Sequence, residues 1–190
     1  ILYESPVTNI IYEGKKVKGI YVHQEKVNAD SVILASGGFE ANDELRKAYI
    51  GNNWLNAKVR GTPHNTGDGL KMALEIGAAK HGLYNGCHAT PMDLHMKNYG
   101  GLDLEPSERK NYRKICYFLG IMVNAKGKRF LDEGKNFRNY TYAQYGKKVL
   151  NQPGHFAWQV FDSKVIDLLY EEYTFHDAHF VEADTIDELI

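Results

Sequence analysis

Residues 32–39 read Val32-Ile33-Leu34-Ala35-Ser36-Gly37-Gly38-Phe39. An unbroken apolar run such as 32–35 is the pattern of a strand buried on both faces, as in an α/β sheet. It leads into a turn of small residues, and after Asn42 the stretch 43–50 has helical character. Strand, small-residue turn and helix in that order let backbone approach a phosphate-bearing ligand closely, with free N–H groups at the helix start. Gly-Gly after a strand is more often only a turn. Neither GxGxxG nor GxxxxGKS occurs in the 190 residues, so a complete dinucleotide fold does not follow.

Working towards the start, Val7 to Tyr12 and Val17 to His23 read as strands around a Glu13-Gly14 turn, and a third run covers Val27 to Leu34. Working the other way, residues 51–64 are irregular. A helix is expected at Thr66-Gly67-Asp68-Gly69, with Thr66 as N-cap, Asp68 suited to the helix dipole, and Leu70, Ala73, Leu74 and Gly77 on one face. Residues 80–118 are the least regular part, as binding loops often are. Gly120 to Asn124 reads as a strand, 125–128 as a hairpin turn and Arg129 to Leu131 as the return strand. A helix is expected over Tyr140 to Leu150, a strand over Phe156 to Phe161, and a helix over Lys164 to Glu171 capped by Asp162-Ser163. The chain opens Ile1-Leu2-Tyr3 in an apolar run and closes on Thr185-Ile186-Asp187-Glu188, the first turn of a helix. Both ends read as cut inside elements, so the expectation is a piece of a longer protein.

Composition narrows the classes. With 23 basic and 24 acidic residues the net charge is −1, without the basic stripe of a nucleic-acid binder. No apolar run approaches the roughly 20 residues of a membrane span. Two isolated cysteines, Cys87 and Cys116, suit reduced thiols in a cytoplasmic protein. His81, His88 and His95 are spaced by seven, matching no metal motif, and His176 and His179 read as surface residues, so no metal site is expected. Arg109, Lys110, Arg113, Lys114, Arg129 and Arg138 crowd one stretch, and the arginine fork is the natural partner of a carboxylate. From the residues alone the reading stops at an α/β-type piece with a possible anion site.

Four segments, in order, resemble the flavoproteins of the fumarate reductase and succinate dehydrogenase family. They are the Val7 strand with the 32–39 segment; Asn65-Thr66-Gly67-Asp68-Gly69, similar to a TGDG segment; Cys87-His88-Ala89-Thr90-Pro91, similar to an HPT substrate segment; and Val123-Asn124-Ala125-Lys126-Gly127-Lys128-Arg129-Phe130-Leu131-Asp132-Glu133, similar to VNxxGxRFxxE. Residues 136–142 and 157–162 most resemble those of the FAD-dependent tricarballylate dehydrogenases. The resemblance implies an α+β fold: residues 1–60 a β-rich remnant of a discontinuous FAD-binding domain, residues 61–190 the capping, substrate-binding domain. It implies FAD, contacted by Val7, Ala35, Ser36, Gly37, Thr66 and Asp68. It also implies a small polycarboxylate substrate held by His88, Thr90, Arg109, Arg113 and Arg138, with Arg138 and His88 catalytic. Hydride would pass to flavin and on to an electron acceptor, which could be a membrane-associated redox partner.

Arginine is an awkward base, because its guanidinium holds its proton above about pH 12, so a carboxylate clamp that stabilises developing charge is the firmer role for Arg138. The family's Thr-Glu-Ala-x-Arg proton relay is missing, and Glu108 to Lys114 stands in its place, which puts fumarate reduction itself in doubt. A succinate, fumarate or ketosteroid-like substrate is the alternative. The isolated 190 residues are expected to hold no FAD and to act as a non-catalytic domain.

Overall fold

The computed structural model describes residues 1–100, 102 and 104–189. It mixes helix and sheet, and its contacts divide the chain into two units: Ile1–Asn52 with Pro63–Gly86, and Asn53–Thr62 with Cys87–Ile190.

The first unit is built on an antiparallel meander of β1 (Val7–Glu13), β2 (Lys16–Val22) and β3 (Glu25–Asn28). Gly14 and Lys15 both take positive φ, 56° and 61°, which is the two-residue turn whose twist matches the strands it joins. Helix α1 (Asp43–Tyr49) starts where expected: the Asn42 side chain accepts from the Leu45 amide at 3.0 Å. Helix α2 (Asp68–Glu75) lies against β1, and buried Ile11 and Met72 belong to this unit.

Two expectations fail here. The run 32–35 forms no strand; β3 ends at Asn28, and Ile33 is 90% exposed. A strand exists through its pairing, and among the described residues none lies alongside 32–35. Nor is Thr66 the cap of α2. Gly67 holds that place at φ 85°, and the Thr66 hydroxyl is spent on Asp68 Oδ2 at 2.7 Å.

The second unit pairs β4 (Ile121–Asn124) with β5 (Ala157–Val160) and packs α3 (Arg138–Leu150) on them. Its core is Ile115, Tyr117, Met122, Leu131 and Tyr145. The expected return strand after β4 is reduced to a single bridge, Val123 to Arg129. The Asn124 side chain accepts from the Lys126 and Lys128 amides and closes the 125–128 turn. The chain then bends so that the Glu133 carboxylate takes the Met122 amide at 2.6 Å, the group a neighbouring strand would need. Burial would push Glu133 up, but the Arg129 side chain and the Met122 amide outweigh it and hold it below the usual range. The strand-like signature 123–133 is thus a turn whose return limb is tied to β4 through Glu133. Residues 163–168 form a 3-10 turn in place of the expected helix, with Asp162 accepting from the Lys164 amide. Short helix α4 (Ile186–Leu189) carries a capping box: Thr185 Oγ1 accepts from the Glu188 amide, and Glu188 Oε2 accepts from the Thr185 amide.

Candidate functional site

In the first unit the small-residue segment lies directly on the start of α2. Gly37 takes φ 78°, and a Cβ there would come 2.9 Å from Asn65 Oδ1. A Cβ on Gly69 would come 2.3 Å from Ser36 Oγ. Asn42 Nδ2 donates to the Thr66 carbonyl at 2.9 Å, and the Ala41 amide donates to the Asn65 carbonyl at 3.0 Å. Ser36, Gly37, Thr66 and Asp68 are therefore neighbours, although 30 positions separate the two segments. Residues 35–37 are exposed, so a ligand can reach this segment. Val7 begins β1 opposite Val22 and is also exposed. The glycines let the 35–37 and 65–69 segments pack directly on each other, and an exposed small-residue segment beside the start of a helix fits a phosphate-bearing cofactor.

In the second unit a cleft of about 460 Å³ is lined by Lys110, Arg113, Ile115, Arg138, Tyr170, Glu171 and Glu172. Arg138 is the first residue of α3, and no side chain caps that helix start. The helix dipole and the guanidinium therefore add, and both favour an anion. The guanidinium carbon sits 5.8 Å from the centre of the Tyr142 ring and 5.8 Å from that of Tyr170. The charges around it are already matched: Lys110 pairs with Glu171, and Arg113 with Glu172 at 3.4 Å. Among the described residues, no carboxylate forms an ion pair with Arg138. The cleft thus presents one uncompensated cation between two aromatic rings.

His88 is exposed and meets the Tyr142 ring edge-on at 5.1 Å. His88 and Arg138 therefore share one aromatic platform. The segment carrying His88 and Thr90 is clamped to α3: the Ala89 amide donates to the Ala143 carbonyl at 2.8 Å, and the Gly146 amide donates to the Ala89 carbonyl at 3.0 Å. Only a glycine allows this, since a Cβ on Gly146 would come 2.6 Å from the Ala89 carbonyl carbon and 2.8 Å from the Thr90 amide nitrogen. Arg113 stands in the cleft, but Arg109 does not line it; its Nε donates to the Leu104 carbonyl at 3.1 Å. Sequence reasoning passed over Tyr142 and Tyr170. Tyr142 lies one turn after Arg138 on the same helix, and that spacing could have marked it. Tyr170 is brought in from a distant loop and carried no signal.

The sequence model of one family, described as an FAD binding domain, matches residues 1–187. A 3-oxosteroid 1-dehydrogenase of Mycolicibacterium smegmatis is 29% identical over 185 residues, covering 88% of this chain and 30% of its own. A fumarate reductase (cytochrome) of Shewanella frigidimarina is 34% identical over 154 residues, covering 80% of this chain and 24% of its own. The open conformation of a flavocytochrome c3 fumarate reductase superposes with a TM-score of 0.61 at 28% identity, over 87% of this chain and 27% of that one. The chain spans less than a third of the length of these relatives.

Proposed function

The chain belongs to the FAD binding domain family, a family of flavin-dependent oxidoreductases, and from that premise we propose that it serves an enzyme that oxidises or reduces a small carboxylate. The observation that carries the substrate class is the uncompensated Arg138 between Tyr142 and Tyr170 at the open start of α3. FAD, when bound, supplies a two-electron hydride acceptor or donor. Ala35, Ser36, Gly37, Thr66 and Asp68 are the residues to hold it, by backbone amides and short polar groups. In this reading the FAD part is residues 1–60 and the capping part 61–190; the contact units divide the chain differently, with Pro63–Gly86 packing with the first unit and Asn53–Thr62 with the second.

The work of the second unit is binding and orientation. Arg138 grips a substrate carboxylate and stabilises negative charge that develops beside it. His88 meets the same Tyr142 ring edge-on, where it can donate to a second carboxylate oxygen, with Thr90 next to it. The two tyrosine rings flank the guanidinium with their centres 5.8 Å from its carbon, and these cation–π contacts hold it in place.

Lys110 and Arg113 bear on how many carboxylates the substrate carries. A tricarboxylate such as tricarballylate engages them only by displacing Glu171 and Glu172. A mono- or dicarboxylate needs Arg138 and His88 alone. A ketosteroid is the second reading, favoured by the 3-oxosteroid dehydrogenase among the relatives; the charged wall of the cleft places it second.

The test is a turnover screen of the FAD-loaded enzyme that carries this chain, with tricarballylate, succinate, fumarate and a 3-ketosteroid, following flavin absorbance. Carboxylate turnover that falls at least a hundredfold in Arg138→Lys supports the reading. Ketosteroid turnover with none for the acids would overturn it, as would an Arg138→Lys enzyme of normal kcat and KM.

A further inference from the structure

Asp93, His95 and His179 converge at a place that neither the flavin nor the carboxylate reading uses. Asp93 follows the backbone bridge between Met92 and Arg113, and its amide donates to the Tyr112 carbonyl at 2.8 Å. Its carboxylate is 3% exposed. Oδ2 faces Lys114 Nζ at 3.5 Å. Oδ1 accepts the His95 backbone amide at 2.9 Å, and has Nδ1 of His179 at 3.5 Å and Nδ1 of His95 at 3.7 Å. The two imidazoles lie against each other with centroids 3.8 Å apart. Both rings are about half exposed, so solvent and ions reach them.

Neither nitrogen–oxygen separation is a hydrogen bond, whose range ends near 3.2 Å. Both are close to the spacing of about 3.4 Å that tetrahedral metal bonds of about 2.1 Å place between neighbouring ligands. All three donor atoms lie within 4.8 Å of one another. Two imidazole nitrogens with one carboxylate oxygen form a donor set suited to Zn²⁺, and three protein ligands leave a fourth position for water.

We propose that Asp93, His95 and His179 form a divalent-metal site, with Zn²⁺ the ion it suits best. The cation at Lys114 opposes an added positive charge, but Glu172 and Asp177 act on Lys114 together with Asp93 and offset it. The ion would fasten the loop at 93–95 to the segment that follows the 3-10 turn Glu171–Tyr173. Joining ligands so far apart in sequence is where a metal clip adds most to a fold.

The experiment uses the purified 190-residue chain, stripped of metal by chelator. Zn²⁺ is titrated by calorimetry with thermal unfolding in parallel, and Co²⁺ is titrated for its visible absorption. The proposal expects one ion per chain, a rise in Tm with Zn²⁺, and the intense visible bands of tetrahedral Co²⁺. His95→Ala and His179→Ala should each weaken binding at least tenfold and remove the rise in Tm. Both residues are exposed enough for the variants to fold, which circular dichroism checks. A variant lacking His81 and Cys87, exposed groups elsewhere, should bind as the parent does. Absence of saturable binding, or binding retained in the double variant of His95 and His179, would overturn the site.

Discussion

Gly146→Ala sets two effects against each other. Gly146 lies inside α3, where alanine is worth about 1 kcal/mol more than glycine by helix propensity. If propensity decided, the variant would be more stable. The structure says otherwise. The new Cβ would stand 2.6 Å from the Ala89 carbonyl carbon, 2.7 Å from its oxygen and 2.8 Å from the Thr90 amide nitrogen, all backbone atoms. Contacts of that kind begin at 3.4 Å, so the 89–90 peptide must move away from the helix by most of an ångström. Movement stretches two hydrogen bonds, Ala89 to Ala143 and Gly146 to Ala89, each worth about 1 kcal/mol, and overpacking adds about 1–3 kcal/mol. After the propensity gain, the expected net loss is about 2–4 kcal/mol. Urea unfolding of the 190-residue chain measures it, with Gly61→Ala as the control, since a Cβ there meets nothing. In the FAD-loaded enzyme the same change should raise KM more than it lowers kcat, because His88 and Thr90 ride on the displaced segment. A Gly146→Ala chain as stable as the parent, or more so, would refute the close approach and the positioning argument built on it.

Stability should fall at both pH extremes. Burial raises the phenols of Tyr173, Tyr117 and Tyr145, which therefore keep their protons in the folded state where the unfolded chain loses them. Their stabilisation is full below their ordinary value of 10.0 and drains as pH rises beyond it. Lys114 has the opposite sign: burial lowers it despite Asp93, so its penalty eases towards its ordinary 10.5, but one amine stands against three phenols. The urea midpoint should thus drop above about pH 10. At the acid end, the lowered Glu133 contributes above its ordinary 4.5 and loses that contribution as pH falls further. Tyr142→Leu removes the ring shared by Arg138 and His88, and steady-state kinetics should show KM for a carboxylate substrate rising roughly two- to fivefold, from a cation–π term of about 0.5–1 kcal/mol. Thiol titration of the native chain should find Cys87 reacting quickly and Cys116, fully buried and with its pKa raised by burial, only after unfolding.

What the sequence made legible is what short-range chemistry decides. The hairpin of β1 and β2 follows from alternation and a turn around Gly14, α1 from the Asn42 cap, and α4 from Thr185 and Glu188. The failures share a cause. Residues 32–35 are apolar enough for a buried strand, yet a strand needs neighbours, and composition does not say whether they stand beside it. The 125–128 turn is real, but Glu133 occupies the edge of β4 and leaves β5, from beyond α3, as the partner on the other side. At the site, the cation run and Arg138 were visible as charge. That Lys110 and Arg113 are neutralised by Glu171 and Glu172 was not, because those partners lie some 60 positions away. The Asp93, His95 and His179 cluster was hidden for the same reason: local spacing reveals metal ligands on one helix or loop, and His179 comes from the far end of the chain.

The exposure of Ile33 and Leu34 has a consequence for handling the molecule. Ile33 is 90% and Leu34 45% exposed, in a stretch that is apolar and free of charge, the kind of surface that seeks a strand from another copy. Colloidal behaviour at high concentration should therefore be governed by these few side chains rather than by the near-zero net charge, which only removes the repulsion that would otherwise keep copies apart.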